Sequence, residues 1–304
     1  MNIYDIITVG GGPAGLTAAL YALRGGKSVL VIEKSAFGGQ MTYSPKIENY
    51  PGFASASGNE IAEQIVDQVL GQGAEVEFDR VTSVSKGENG IFAVECESGE
   101  TKYARAVIIA NGCRHRRLGL EREEDFIGEG ISFCAVCDGA FYKDRDVAVI
   151  GGGNSALQEA LLLSQTSRRV TVVQDMPHLT GEARLAAQID ERDNIDVLCG
   201  YRAESLIGED AIKGLKIRSA SGEEREIAVD GIFVAIGLVP ENEDFASLAE
   251  LDARGYFDSD ENCLTSTEGL FVAGDCRKKY IRQITTATAD GAVAALAACR
   301  YIDR

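Results

Sequence analysis

The feature that most constrains this chain is a unit that occurs twice: a short apolar run, a glycine-rich turn and a helical stretch. In the first copy, the apolar run of residues 3–9 ends at a Gly-Gly-Gly-Pro-Ala-Gly turn at residues 10–15. In the second copy, the run at 147–150 ends at a Gly-Gly-Gly-Asn-Ser-Ala turn at 151–156. Nearly continuous apolar runs are typical of strands buried on both faces of a parallel sheet. The repeat therefore predicts two mononucleotide-binding folds in one chain of the α/β class.

The first turn carries the complete pattern of a dinucleotide-binding site. Gly10 permits a tight turn, Gly12 lets the backbone approach a pyrophosphate, and Gly15 lets helix and strand pack closely. The helix N-terminus supplies amide donors and a positive dipole. Glu33 follows the next apolar run, at residues 29–32, and is placed to accept from a ribose hydroxyl. Because strand, turn, helix, second strand and acid occur in order, the signal is stronger than an isolated glycine motif.

The remaining segments indicate that one domain is inserted in the other. Short alternating runs between residues 75 and 109 predict a β-meander inserted in the first domain. A late strand that ends in Gly274-Asp275, followed by a helical stretch at 285–301, indicates that the chain returns to its first domain. The fold expected is therefore α/β, with two Rossmann-like domains of the three-layer ββα type. The expected boundaries are 1–113 with 242–304 for the first domain, and 114–241 for the second.

Charge and composition exclude several classes of function. The chain has 30 basic and 47 acidic residues, a formal charge of −17, which repels nucleic-acid phosphates and anionic lipid. It contains no long apolar run of the kind that crosses a membrane, and its start lacks the pattern of a signal peptide, so a cytoplasmic protein is expected. Eight cysteines are too few to staple a fold of 304 residues with disulfides.

One cysteine pair has a spacing that indicates chemistry. Cys134 and Cys137 lie on one face if they open a helix, near enough for a disulfide, and the helix dipole would lower the pKa of a thiol there. Such a pair accepts two electrons and hands them on. Asp138 follows directly and can act as general acid or base if burial raises its pKa towards neutrality. A zinc half-site is the alternative, but only His115 and His178 are available to complete four ligands.

The other six cysteines are scattered, and each is interpreted as a small buried hydrophobe. Cys113 and Cys276 lie beside segments expected to bind a cofactor, so a minor redox role for these two stays open.

These motifs together resemble one family over nearly the whole chain, the low-molecular-weight thioredoxin reductases. The residues that carry the resemblance are Gly10 to Gly15, Gly38-Gly39-Gln40, Glu48-Asn49-Tyr50-Pro51-Gly52, Ala110-Asn111-Gly112, Cys134-Ala135-Val136-Cys137-Asp138-Gly139, Gly151 to Ala156, Gly274-Asp275 and Arg282-Gln283.

The resemblance implies FAD in the first domain, a pyridine-nucleotide-like second domain, a homodimer, and thioredoxin or a thioredoxin-like protein as acceptor. By resemblance, Cys137 faces the flavin, Cys134 attacks the thioredoxin disulfide, and Asp138 supplies the proton. The residues expected to bind FAD are Gly10, Gly12, Pro13, Ala14, Gly15, Glu33, Gly39, Gln40, Asn49, Asn111, Gly274, Asp275, Arg282 and Gln283. Those expected at the nucleotide site are Gly151, Gly153, Asn154, Ser155, Ala156 and Asp175.

The second domain departs from the family pattern at one place. Where the family has a basic cluster that grips the 2′-phosphate of NADPH, residues 174–180 read Gln-Asp-Met-Pro-His-Leu-Thr. Asp175 would repel a 2′-phosphate and could accept from a free 2′-hydroxyl, which favours NADH as donor. Two alternatives stay open: reduced ferredoxin with a vestigial nucleotide site, and NADPH held by residues elsewhere in the fold.

A function of another class is also compatible with the sequence. The protein could be a flavin-bearing redox sensor without fast turnover, and the acceptor could be a glutaredoxin-like or peroxiredoxin-reducing protein. The docking surface has no local motif that separates these acceptors.

Overall fold

The computed structural model describes residues 2–44 and 47–304, and the chain divides into two compact units. The first comprises Met1–Pro45, Tyr50–Arg114 and Val239–Arg304, and the second comprises Lys46–Asn49 and His115–Leu238. The chain crosses between them after residues 114 and 238, where the sequence predicts crossings after 113 and 241. The grouping of residues 47–49 with the second unit has no counterpart in the expected boundaries.

The elements follow the order that the sequence predicts. The strands are β1 (Ile3–Val9), β2 (Val29–Glu33), β3 (Glu75–Phe78), β4 (Val81–Lys86), β5 (Phe92–Cys96), β6 (Thr101–Ile109), β7 (Cys113–His115), β8 (Ile131–Ser132), β9 (Asp146–Ile150), β10 (Arg169–Gln174), β11 (Ile195–Cys199), β12 (Tyr201–Ile207), β13 (Gly214–Ser219), β14 (Glu224–Ala228), β15 (Gly231–Val234), β16 (Leu238–Pro240) and β17 (Leu270–Val272). The helices are α1 (Pro13–Arg24), α2 (Gly58–Gly71), α3 (Ala135–Asp138), α4 (Asn154–Leu163), α5 (Ala183–Asp190) and α6 (Ile284–Ile302).

The sheet of the first unit has the order β3-β2-β1-β6-β5-β4, with β17 also paired to β6. Pairing is parallel between β1 and both β2 and β6, between β2 and β3, and between β6 and β17. Pairing is antiparallel between β4 and β5 and between β5 and β6. The predicted meander is therefore confirmed for β4, β5 and β6 and is wrong for β3. β3 is an edge strand of the parallel sheet, and β6 serves both parts, because this long strand pairs with β5 at one end and with β17 at the other.

Two helices cover one face of this sheet. α1 and α6 bury alanine-rich faces against each other and the sheet, including Ala18, Ala22, Ala294 and Ala298. Small side chains allow the helices to approach closely, since a Cβ added at Gly291 would lie 2.2 Å from the carbonyl oxygen of Ala14. This packing fixes the position of α1, which begins at the first glycine turn.

The second unit repeats the parallel plan. Its main sheet has the order β11-β10-β9-β15-β8, and β12, β13 and β14 form a second, antiparallel sheet. Apolar side chains such as Leu157 and Phe233 pack on the helical face, and Leu215 and Ile217 pack on the other. The two Rossmann-like units in an α/β chain confirm the predicted fold class. Across residues 2–44 and 47–304, no helix combines the length and apolarity that crossing a membrane requires.

Candidate active site

The first glycine turn has the geometry that its sequence predicts. Gly10 has φ +109°, and a Cβ there would lie 2.4 Å from the oxygen of Ala110. A Cβ at Gly15 would lie 1.9 Å from the oxygen of Gly10, so only glycine fits. Gly12, in contrast, has ordinary extended backbone, and a Cβ there would meet only the Cα of Gly39, at 3.9 Å. The open space above Gly12 is therefore the side of the turn from which a ligand can approach.

Two buried acceptors lie at the same end of this sheet. Asn111 follows β6, and Asp275 lies in the 3-10 turn Gly274–Cys276 after β17. Among the described residues, Asn111 Oδ1 and Asp275 Oδ1 are buried without a hydrogen-bond partner, and Lys279 Nζ lies 3.7 Å from the latter. Burial raises the pKa of Asp275 above its usual value, against the opposing charges of Lys279 and Arg282. Because a buried acceptor without a donor is unfavourable, both atoms fit hydroxyl or amide donors of a bound cofactor.

Glu33, which the sequence predicts to accept from a ribose hydroxyl, also contacts the first glycine turn. It is 7% exposed, and its Oε2 accepts from the backbone N–H of Gly11 at 2.7 Å. Its Oε1 accepts from the N–H and the hydroxyl of Ser35. The carboxylate therefore braces the glycine turn through the backbone.

Other residues expected to bind FAD lie close to the first glycine turn in the sequence. Pro13 and Ala14 open α1, and the Cβ of Ala14 lies against Gly274. Gly39 begins a 3-10 turn whose second residue, Gln40, is exposed.

Three further residues lie farther along the chain. The guanidinium of Arg282 donates to the carbonyl oxygens of Asp275, Arg277 and Lys279, and Gln283 is the N-cap of α6. Asn49 belongs to the second unit in the division of the chain, so its place beside a flavin stays a prediction.

The second glycine turn reproduces the first. Gly151 has φ +128°, and a Cβ there would lie 2.5 Å from the oxygen of Ala235. Gly153 has extended backbone and open space, with Thr180 Oγ1 at 3.9 Å from an added Cβ. Ala156 is fully buried and replaces the third glycine. The turn that the sequence predicts is thus intact.

The loop after β10 covers part of that turn. Asn154 and Glu182 form a reciprocal pair, in which Asn154 Nδ2 donates to the carboxylate and the N–H of Glu182 donates to Asn154 Oδ1. Ser155 is exposed in the first turn of α4. Gln174, which occupies the position equivalent to Glu33, is 5% exposed and packs against Gly152.

A cavity of about 420 Å³ lies beside the exposed Asp175. Its lining includes Gly200, Ser219 and two basic residues, Arg202 and Arg218, which lie on β12 and β13. Arg218 forms ion pairs with carboxylates on β12 and β14, whereas Arg202 has no ion pair with any residue that the structure describes. Neither arginine was predicted, since both follow the segment that carries the family's basic cluster and lie on other strands.

Cys134 and Cys137 form a disulfide with their Cα atoms 5.3 Å apart. Cys134 is the N-cap of α3, and its Sγ accepts from the backbone N–H of Cys137 at 3.2 Å. A donor aimed at this sulfur would stabilise a thiolate on Cys134 after reduction. Because α3 is a single turn, this hydrogen bond should stabilise the thiolate more than the helix dipole does.

Ser132 connects the redox pair to Asp138. Its buried hydroxyl donates to Asp138 Oδ2 at 2.6 Å and accepts from the N–H of Cys134 at 3.1 Å. Asp138 is half-buried. No sequence signal marks Ser132. It reaches both Cys134 and Asp138 because β8 ends at this residue, just before the cysteine turn.

A second carboxyl group lies at the same turn. Glu159 of α4 has one carboxyl oxygen, Oε2, that is buried without a partner in the part of the chain that the structure describes. Burial raises the pKa of Glu159 to about 8, and the nearby charge of Asp138 acts in the same direction, against the Ala135 hydrogen bond. Glu159 was not predicted, because nothing in the sequence pairs it with a turn on a different element.

The remaining six cysteines are free thiols, and all but Cys199 are buried. Burial raises the pKa of both Cys113 and Cys276 to about 12, which disfavours the thiolate needed for redox chemistry. Apart from residues 1, 45 and 46, which are not described, no cluster of three or more His, Cys, Asp and Glu side chains is placed to hold a metal ion.

Comparison with known proteins agrees with this arrangement. The family model described as pyridine nucleotide-disulphide oxidoreductase matches residues 4–291. The thioredoxin reductase of Listeria innocua is 39% identical over 99% of this chain and 95% of its own. The bifunctional thioredoxin reductase/thioredoxin of Mycobacterium leprae is 37% identical over 99% of this chain and 66% of its own.

A solved structure gives the same result. The crystal structure of thioredoxin reductase from Streptococcus pyogenes superimposes with a TM-score of 0.93, at 36% identity, over 99% of this chain and 98% of that chain. The chain is therefore an oxidoreductase that belongs to the pyridine nucleotide-disulphide oxidoreductase family and, within it, to the low-molecular-weight thioredoxin reductases.

Proposed function

We propose that this protein is an FAD-dependent disulfide reductase that passes electrons from NADH, through Cys134 and Cys137, to a thioredoxin. The observation that carries the proposal is the Cys134–Cys137 disulfide itself, with Asp138 joined to it through Ser132. The name of the Mycobacterium leprae relative couples a thioredoxin reductase to a thioredoxin in one chain, which supports thioredoxin as the acceptor.

The first unit is the proposed FAD site. The open space above Gly12 suits a pyrophosphate. One oxygen each of Asn111 and Asp275 is buried with no hydrogen-bond partner among the described residues, and these oxygens suit donors on the cofactor. When bound, FAD supplies the ability to take up an electron pair from a nucleotide and to release it to a disulfide. A homodimer, as the family resemblance implies, stays a prediction.

The residues of the redox turn have separate roles in the exchange. Reduction breaks the Cys134–Cys137 bond with two electrons and leaves two sulfurs that need two protons, or one proton if a thiolate remains. The N–H of Cys137 favours the thiolate on Cys134, which attacks one sulfur of the thioredoxin disulfide. Asp138, oriented by Ser132, gives a proton to the thioredoxin sulfur that leaves.

Asp175 supports NADH as the donor. It is exposed directly after β10 and lines a cavity of about 420 Å³, where its charge would repel a 2′-phosphate and its oxygens could accept from a 2′-hydroxyl. Arg202 favours the second candidate, NADPH, because it is a basic side chain on the same cavity. Arg218 contributes less, since two carboxylates already neutralise it.

The first experiment measures bleaching of the flavin band under anaerobic conditions with NADH and with NADPH. A preference for NADH that falls on changing Asp175 and Met176 to Arg, but not on Asp193→Arg in the same unit, supports the proposal. A preference for NADPH of more than about tenfold, about 1.4 kcal/mol, refutes it, and loss of that preference in Arg202→Ala would assign the phosphate to Arg202. Bleaching by neither nucleotide would indicate a ferredoxin as donor.

The second experiment tests the redox pair. Cys134→Ser and Cys137→Ser should each abolish thioredoxin reduction while FAD remains bound, and Cys199→Ser, a half-buried cysteine of the same unit, should leave it unchanged. Thioredoxin reduction at the normal rate by Cys137→Ser would contradict the mechanism. Flavin reduction without any reduced thioredoxin in the wild-type protein would favour the redox sensor.

A further inference from the structure

Asn242 is a buried side chain that contacts one of the residues proposed to bind FAD. It closely follows β16, in the segment where the chain returns to the first unit, and it is 1% exposed. Its Oδ1 accepts from Asn111 Nδ2 at 3.2 Å. Its Nδ2 donates to the carbonyl oxygens of Gly255, at 2.9 Å, and Cys276, at 2.8 Å. Both polar atoms of the Asn242 side chain therefore have partners within the first unit.

Backbone carbonyls fix which way round this amide lies. A carbonyl oxygen can only accept a hydrogen bond, so the two carbonyls beside Asn242 require its NH2 group and turn its oxygen towards Asn111. The NH2 group of Asn111 donates to this oxygen and also to the carbonyl oxygen of Glu241, at 2.7 Å. Reversal of the Asn111 amide would place its oxygen against these two acceptors. The remaining polar atom of Asn111 is therefore an acceptor, the Oδ1 that is buried without a hydrogen-bond partner among the described residues.

We propose that Asn242 is a positioning residue of the FAD site, which holds Asn111 in the orientation that offers an acceptor to a hydroxyl or N–H group of the cofactor. The inference rests on the proposed binding of FAD in the first unit. A primary amide can offer a ligand either an acceptor or a donor, depending on which end faces the ligand. The contacts of Asn242 fix this choice before FAD binds, so that no reorientation of the amide has to accompany binding.

The other buried acceptor of the site does not depend on this arrangement. In its ionised form Asp275 has two accepting oxygens, so its carboxylate does not require one end to be selected. Asn242 reaches only the carbonyl oxygen of the next residue, Cys276, which also accepts from the N–H of Phe257 at 3.1 Å. The effect of Asn242 on FAD should therefore pass through Asn111.

The test is a double-mutant cycle on the affinity for FAD, measured by titrating the flavin-free protein with FAD and following the flavin fluorescence. The variants are Asn111→Ala, Asn242→Ala and the double variant, and the thermal midpoint of each flavin-free form reports the effect on the fold separately. Thr265→Val is the matched control, because its hydroxyl also donates to two carbonyl oxygens of the first unit, those of Thr267 and Leu270. It is combined with Asn111→Ala in the same way.

The cycle has a definite expected result. Asn111→Ala should raise the dissociation constant for FAD about fivefold, as the loss of one neutral hydrogen bond requires. Asn242→Ala should raise it about three- to fivefold. The double variant should match Asn111→Ala within about twofold, because Asn242 matters only while there is an amide to orient. Thr265→Val should leave the dissociation constant within about twofold of its parent in both backgrounds.

Two outcomes of the cycle overturn the proposal by itself. If the two single losses multiply, to about 15-fold or more in the double variant, Asn242 does not act through Asn111. An unchanged dissociation constant in Asn242→Ala would also refute the positioning role. Failure of the wild-type protein to bind FAD would refute the proposed cofactor and this proposal with it, so the two kinds of failure are distinguishable.

A measurement on the wild-type protein covers the case in which Asn242→Ala fails to fold. The flavin-free protein is labelled with heavy nitrogen at asparagine, and the side-chain resonances of Asn111 are identified by their absence from Asn111→Ala. Both side-chain amide protons of Asn111 should exchange with solvent at least about tenfold more slowly than those of the exposed Asn89, because each is donated to an acceptor. Exchange at Asn111 as fast as at Asn89 would overturn the proposal.

Discussion

Gly12 and Gly153 offer a matched pair of substitutions that separate flavin binding from folding. Both residues precede a helix with extended backbone, at φ −79° and ψ −177° for Gly12, and φ −84° and ψ 179° for Gly153. Alanine adopts these angles without strain. In each case the nearest heavy atom to an added Cβ lies 3.9 Å away, an ordinary van der Waals contact. Replacement by alanine should therefore change the free energy of folding by less than about 1 kcal/mol.

The same methyl group stands where the backbone should approach a pyrophosphate. Displacing the phosphate loses at least one charge-assisted hydrogen bond, worth about 1.5–3 kcal/mol. The dissociation constant for FAD should then rise by about 10- to 150-fold in Gly12→Ala. Gly153→Ala should bind FAD normally and weaken the nucleotide donor by a similar factor.

The assay is titration of the flavin-free protein with FAD, together with the thermal midpoint of the flavin-free form. Gly10→Ala is the contrasting variant, because φ +109° and the oxygen of Ala110 at 2.4 Å predict loss of the fold itself. FAD binding at wild-type affinity by Gly12→Ala, or loss of FAD from Gly153→Ala, would refute the assignment of the two turns.

Three further predictions follow from single side chains. Ser132→Ala removes the hydroxyl that bonds to the N–H of Cys134 and to an oxygen of Asp138, so the rate of disulfide exchange with thioredoxin should fall about tenfold. The rate is measured by stopped-flow mixing of reduced enzyme with oxidised thioredoxin. An unchanged rate would exclude Ser132 from the proton path. In the oxidised protein, Cys113 and Cys276 should resist alkylation by iodoacetamide at pH 8 until the chain unfolds, since burial raises the pKa of both to about 12. Alkylation is followed by mass spectrometry, and rapid labelling of either thiol would support a minor redox role. Because the pKa of Glu159 is raised from 4.5 to about 8 in the fold, the folded state binds the proton more tightly and stability falls as pH rises through that window. The thermal midpoint of Glu159→Gln should therefore gain on that of wild type between about pH 5 and 8, and a constant difference would contradict the raised pKa.

The features that the sequence predicts correctly are those encoded within a few residues. Both glycine turns, the strands before them and the cysteine pair at the start of a helix depend on local backbone geometry. The pairing of β3 was predicted wrongly because a short strand with the pattern Glu-Val-Glu-Phe fits a meander as well as a parallel edge. Ser132 and Glu159 could not be predicted, since they reach the cysteine turn from β8 and α4 and only packing brings them there.

The two glycine turns are each contacted by the residue that ends the next strand along the chain. Glu33 in the first unit and Gln174 in the second occupy equivalent positions, and the dinucleotide-binding pattern assigns an acid at that position to a ribose. In the structure, the Glu33 carboxylate accepts from the backbone N–H of Gly11, and Gln174 packs against Gly152. The equivalent position therefore supports the turn in both units.

In the second unit the next residue, Asp175, is exposed on a cavity that Arg202 also lines, and in the proposed reaction these two side chains select between a hydroxyl and a phosphate. The two side chains carry opposite charges and lie on different elements, one directly after β10 and the other on β12. A 2′-phosphate gains from Arg202 and loses from Asp175, whereas a 2′-hydroxyl needs only the acceptor. A charge balance between these two side chains, and not the sequence of the loop after β10 alone, therefore decides the donor in the proposed reaction.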